Sequence, residues 1–362
     1  MKQAPGASGR NRTLDLLKGI FIIFVITLHF PFAEGFTKKA LFPYWVVFAV
    51  PAFLFISGYV SALSAQRKDS DDIGELYSPR GLFAKCLRFL VPYTIVFIFA
   101  QIIFRVTGLY QVGPVEYGLR ALFFDYLCGG FGPGSYYVPM MIEFVFVFPL
   151  IYLLVKRRGF RGVLCVFGIN IAYEIIKEAF GMDESEYRFL IFRYLFVVAC
   201  GVYACVYGSG EKSATDNADA GTTGDKKRID KTFNAVLMGC CVALGAAFVY
   251  IFSYTSYQPR ILTYWSPTSV LPALYIVPVM FVIVRHVKIK FAPLELIGKA
   301  SFNIFLVQMI FYIYYGDLIG DRFPMGAAYA ISVAGCVAAG VLFYLAESRL
   351  TKAVTGLIKK KS

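Results

Sequence analysis

The chain has 362 residues, of which 58% are hydrophobic and 16% charged, and its mean hydropathy is +0.63. That apolar share exceeds the ~45–50% of ordinary soluble domains, which excludes a soluble globular fold and points to a bilayer. The net charge of +13 fits basic loops that fix membrane topology, and no nucleic-acid partner is expected.

Spanning helices need about 20 apolar residues each. Segments of that kind occur at 14–32, 41–63, 87–106, 136–155, 163–180, 189–207, 233–254, 270–287, 297–315 and 325–346. The pattern predicts an all-α integral membrane fold, one polytopic bundle of about ten transmembrane helices over 1–362 with both termini cytoplasmic. The first segment follows Arg10 and Arg12 like a signal peptide. It is long for one, contains Asp15 and Lys18, and lacks a small-x-small cleavage site, so it reads as a retained helix. The fifth is the weakest, because Glu174, Lys177 and Glu178 crowd its end. Between the third and fourth, 112–134 reads as a short interfacial helix followed by a glycine-rich loop at a substrate entrance. Residues 209–230, rich in Gly, Ser, Thr and Asp, read as a flexible cytoplasmic linker between helices six and seven. With the N-terminus inside, 27 of the 36 Lys and Arg residues fall in cytoplasmic segments and 8 outside. The asymmetry supports this topology. The eight cysteines lie mostly in apolar runs, form no CxxC pair and read as small packing residues. No metal-binding constellation is visible.

The first helix carries the chemistry. Lys18 and His29 are eleven residues apart, which places them about 20° apart around the axis and about 16 Å apart along it. Asp15 lies near the same stripe. Ionisable side chains on one face of a spanning helix are costly against lipid, so that face should look into the protein or a wet cavity. Taken alone, His29 reads as a hydrogen-bonded core histidine near the outer boundary. With Lys18 and Asp15 beside it, and His286 at a helix end as the second of two histidines, it is the best general base the chain offers. Asp15 either shares that site or neutralises Lys18 at i,i+3. Arg80, Lys85 and Arg88 form a basic cluster on the cytoplasmic side. It serves either as topology charge or as a receiver of phosphate groups. Glu143, inside the fourth span, is either salt-bridged, with Arg193 as the candidate partner, or functional. Ser301 and Asn303 either line a cavity or join helices by hydrogen bonds.

The run Leu14-Asp15-Leu16-Leu17-Lys18-Gly19-Ile20, ending in His29, resembles the first helix of the acyltransferase-3 membrane proteins, which O-acylate surface sugars. Four further segments line up in order. Phe53-Leu54-Phe55-Ile56-Ser57-Gly58-Tyr59 is similar to the family's apolar-Ser-Gly-aromatic end of helix two. Lys85-Cys86-Leu87-Arg88 with Val91-Pro92-Tyr93 resembles its basic-x-x-Arg and Pro-aromatic element. Gly132-Pro133-Gly134-Ser135-Tyr136-Tyr137-Val138 resembles the entry to the next helix. Gly298-Lys299-Ala300-Ser301 through Leu306 is similar to its late Gly-x-x-Ser helix. The chain departs from the family's usual residue at Lys85, where Arg is usual, at Tyr136 or Tyr137, where Trp is common, and at Gln308, where the late helix often ends in His. Gln308 cannot act as a base, which restricts it to hydrogen bonding.

The resemblance implies an acyl-CoA donor on the cytoplasmic side, most often acetyl-CoA, and a saccharide acceptor hydroxyl on the outer side, in a multi-pass protein of the bacterial inner membrane. Its membrane lipid is a partner in the ordinary sense. Arg80, Lys85, Arg88 and Ser57 are the donor-binding expectations. His29, Lys18, Asp15 and Glu143 are the catalytic ones, with His29 as general base or as acyl acceptor. The competing readings are a membrane transporter or flippase of a glycan or lipid, and a noncatalytic assembly partner. Against the transporter, no inverted repeat or matched pair of broken helices is visible.

Overall fold

The structure, a computed structural model, describes residues 12–33, 35–68, 72–107, 118–130, 132–182, 187, 189–208, 223–255 and 269–360. Twelve helices of eight residues or more order the described chain: α1 Arg12–His29, α2 Ala49–Arg67, α3 Pro79–Thr107, α4 Leu119–Leu127, α5 Tyr137–Arg158, α6 Phe160–Phe180, α7 Leu195–Gly208, α8 Thr223–Tyr254, α9 Val270–His286, α10 Ala292–Lys299, α11 Ser301–Ile313 and α12 Met325–Lys360. No strand occurs among the described residues. The helical bias has a simple cause: a helix satisfies its own backbone hydrogen bonds where water is absent.

Six of these segments are long and apolar enough to cross a membrane: Phe42–Arg67, Ile73–Thr107, Tyr137–Arg158, Ile191–Gly208, Ala235–Tyr254 and Met325–Val354. The pair α10 and α11 is bent by 69° at Ala300 and would make a seventh as one broken span. The chain is therefore a multi-pass membrane protein. Each of the ten expected segments has a helical counterpart, but the remaining three differ in kind from the six. Helices α1 and α6 carry charged residues within their apolar length, and α9 has 17 residues. Of the expected linker, 209–222 lies outside the described residues. Its last part, from Thr223 on, is already the start of α8. The interfacial helix expected in 112–134 is α4, which buries none of its residues.

Local signals set the ends that matter for the site. α1 has Asp15 in its first turn, where a carboxylate complements the helix dipole. It stops at His29, two residues before Pro31, whose ring cannot continue a helix. Glycines then set how close the helices come. A methyl on Gly19 would collide with the carbonyl of Leu294, and one on Gly298 with the carbonyl of Asp15, so α1 and α10 lie backbone to backbone. The same reciprocal arrangement joins α2 and α7, where Gly58 faces Val198 and Gly201 faces Phe55. Small residues permit this approach in a bilayer, where dispersion replaces the hydrophobic effect between helices. The break at Ala300 then turns α11 away, so that it packs on α12, α1 and α3. At the N-terminal end of α1, Arg12 Nε donates to Glu295 Oε2 at 2.8 Å and ties α1 to α10 a second time.

Candidate functional site

A cavity of about 210 Å³ opens along one side of α1. Lys18 and His29 both line it, with Ile22 and Val25 between them. These are the positions that a period of 3.6 brings onto one face. Its other walls come from distant parts of the chain: Phe53 and Ser57 on α2, Phe89 on α3, Gly134, Tyr136, Tyr137 and Met141 around the start of α5, and Ser301, Phe302 and Phe305 on α11.

Each wall has a local reason. Ser57 precedes Gly58, whose bare Cα lets α2 press on α7 and so fixes the azimuth of Ser57. The bend at Ala300 places Ser301 and Phe302 in the first turn of α11, at the cavity rather than behind it. Gly132 and Gly134 have φ of +96° and +86°, a left-handed backbone that L side chains rarely adopt. A methyl on Gly134 would sit 3.1 Å from Phe305 Cε2 and 3.5 Å from His29 Nε2. The imidazole edge therefore faces bare backbone across a gap of roughly one methyl group.

The loop that delivers Gly134 is anchored at both ends. Tyr93, from the Pro-aromatic element, donates its hydroxyl to the carbonyl of Tyr126 at 2.7 Å, and Thr94 pairs with the Tyr126 hydroxyl at 2.7 Å. At the far end, Gln308 Nε2 donates to the Pro133 carbonyl at 3.3 Å. The C-terminal end of α1 is held by Tyr312, which donates to the Ile26 carbonyl at 2.9 Å, and by Thr27 paired with the Tyr329 hydroxyl at 2.8 Å. The Tyr312 ring lies 6.4 Å from that of His29.

A family model described as an acyltransferase domain matches residues 11–345. The chain belongs to the acyltransferase-3 family. No curated protein and no solved structure matches it. In this acyltransferase four of the five segments that carry the family resemblance contribute a residue to the wall of one cavity, and Phe89, between the two parts of the remaining one, joins them.

The structure does not bring every candidate residue into that wall. Of the eight, Lys18, His29 and Ser57 line the cavity. Asp15 is buried and does not line the cavity, and its backbone carbonyl meets Gly298 of α10. Glu143 accepts the backbone N–H of Ile191 at 2.8 Å, at the start of the 3-10 turn Ile191–Tyr194. The first N–H groups of a helix lack intrahelical partners, and a carboxylate there satisfies one of them and meets the positive end of the dipole. Arg193 stands over the rings of Tyr187 at 4.7 Å and Tyr194 at 5.2 Å. Lys85 lies 5.9 Å from the Phe148 ring centre and interacts electrostatically with Lys68 and Arg88. Arg80 and Arg88 are exposed. None of these three lines the cavity, although Phe89 next to Arg88 does. Asn303 joins helices: its Nδ2 donates to Glu347 Oε2 at 3.0 Å. Some wall residues, Tyr137, Phe302 and Phe305 among them, lie inside the motif segments but carry no signal of their own as site residues. Their apolar character hides them among packing residues.

Proposed function

We propose that this acyltransferase moves an acyl group, acetyl in the first instance, from acyl-CoA to a hydroxyl of a surface or lipid-linked saccharide at the bacterial inner membrane. The observation that carries the reading is one cavity with Lys18 toward the N-terminal start of α1 and His29 at its other end. The donor approaches from the cytoplasmic side, where Lys68, Lys85 and Arg88 gather positive charge for its phosphates. Lys18 steers the thioester end. His29 Nε2, facing the gap beside Gly134, takes the proton of the acceptor hydroxyl as that oxygen attacks the thioester carbonyl, and CoA leaves as the thiol. In the second route His29 itself accepts the acyl group and passes it on. Beyond Lys18 and His29, Ser57, Ser301, Tyr136 and Tyr137 supply the polar side chains of a mostly apolar wall.

The test is purified protein in detergent with acetyl-CoA, read as free-thiol release, alongside mass spectrometry of surface glycans with and without the protein. Thioester consumption that disappears in His29→Ala, with the variant still folded, supports the reading. Movement of a glycan with no thioester consumed would replace it with a transporter. Rapid acid quenching separates the two routes, because an acylated His29 peptide appears only in the second.

A further inference from the structure

The late-helix position where the family often has His is Gln308 here, and the acyl transfer proposed for this cavity makes no use of it. Gln308 is fully buried and does not line the cavity. Its Nε2 donates to the carbonyl of Pro133 at 3.3 Å. Beside that contact, Gly132 lies so close to α11 that a methyl on it would collide with the Met309 carbonyl. The loop and α11 are therefore joined by two adjacent devices, a side-chain donor and a bare Cα. The residue after Pro133 is Gly134, the backbone that faces His29 Nε2.

We propose that Gln308 is a positioning residue. Its amide N–H holds the Gly132–Pro133–Gly134 turn against α11 and so sets the width of the gap between Gly134 and His29 Nε2. The requirement is chemical rather than steric. A carbonyl oxygen only accepts, so whatever side chain faces Pro133 must present a donor. Gln does so through its NH₂ and a neutral histidine through a ring N–H. Met or Leu, though similar in size, cannot. Pro133 is half-buried, and a carbonyl shielded from bulk water and left without its donor is costly, so the turn would move to satisfy it. The Gln–His exchange then preserves a hydrogen-bond donor, and the basicity of a histidine at 308 is not needed.

Two arms test the proposal. The first does not depend on acyl transfer. Wild type, Gln308→Met and Gln308→His are treated with diethyl pyrocarbonate, and carbethoxylation of His29 is followed by peptide mass spectrometry. Exposed His286 serves as the internal reference. Loss of a hydrogen bond of ~1 kcal/mol shifts a closed–open equilibrium about fivefold. The His29 rate relative to His286 should rise by about that factor in Gln308→Met and return to the wild-type value in Gln308→His. An unchanged rate in Gln308→Met, or Gln308→His as fast as Gln308→Met, overturns the proposal. Gln308→Leu replaces Gln308→Met if the latter is not monodisperse on size exclusion. The second arm rests on the acyl-transfer reading. kcat for acetyl-CoA consumption should fall about fivefold in Gln308→Met with KM unchanged, and recover in Gln308→His. An unchanged kcat, or a loss carried by KM, counts against positioning. If none of the proteins consumes acetyl-CoA, the acyl-transfer reading fails while the labelling rates still decide the role of Gln308.

Discussion

Two helices in this protein carry polar stripes through apolar surroundings, and they use them in opposite ways. On α1, Lys18 and His29 face a cavity whose other walls come from α2, α3, α11 and the start of α5. On α6, Asn170, Glu174 and Lys177 are enclosed, each no more than 1% exposed. Asn170 Oδ1 accepts the N–H of Phe196 at 3.2 Å, near the start of α7, and Glu174 lies beside the N–H of Val270, the first residue of α9. Tyr187 donates to Glu174, while Lys177 sits 4.2 Å from the ring centre of Tyr187 and Tyr173 stacks on the same ring. Glu143 on α5 does the same kind of work at Ile191. One stripe opens on a cavity. The other is closed, and its groups satisfy helix starts and one another. Intramembrane charge by itself therefore does not identify a catalytic site. What separates the two is whether the polar atoms face a void.

The sharpest break of the comparison is at His29. His29→Ala should lower acyl transfer by about 10³-fold, with the melting temperature of the detergent-solubilised protein close to wild type. Glu174→Ala should do the reverse. Removing one partner from a buried ionic cluster leaves Lys177 and Arg193 without that carboxylate and costs about 3 kcal/mol or more. The variant should melt at a distinctly lower temperature, while turnover per folded molecule stays within about twofold, as for well-separated sites. If Glu174→Ala abolished turnover in a protein that still melted normally, the closed stripe would belong to the chemistry. Gly134→Ala combines a left-handed backbone cost of ~1–2 kcal/mol with a methyl that fills the gap facing His29, and kcat should fall about tenfold. The smallest effect is expected at Glu143. Glu143→Gln keeps an acceptor oxygen for the Ile191 N–H, so rate and stability should both stay within about twofold of wild type. A large loss of kcat there would move Glu143 into the active site and erase the contrast between the stripes.

Several features are legible in the sequence because they depend on period and composition alone. The apolar runs form helices, and eleven residues of α-helix do bring Lys18 and His29 to one cavity. The glycine-rich entry to α5 is readable as a loop, since only glycine tolerates φ near +90° at 132 and 134. The fate of Glu143 is not readable. A carboxylate that caps a turn 48 residues away and one that serves catalysis look the same along the chain. The basic cluster is equally ambiguous, because Arg80 and Arg88 are exposed where topology charges also sit.

By itself, the sequence determined that this is a helical membrane protein of the acyltransferase-3 family, with a lysine and a histidine on one face of its first helix. Local periodicity and hydropathy suffice for that, because each helix closes its own hydrogen bonds. Only the tertiary structure decided which polar face opens on a void and which is sealed. That choice depends on how close neighbouring backbones come, at Gly19 with Gly298 and at Gly58 with Gly201, and on the bend that swings α11 across α1. Those are relations between segments far apart in the chain, and no local pattern encodes them.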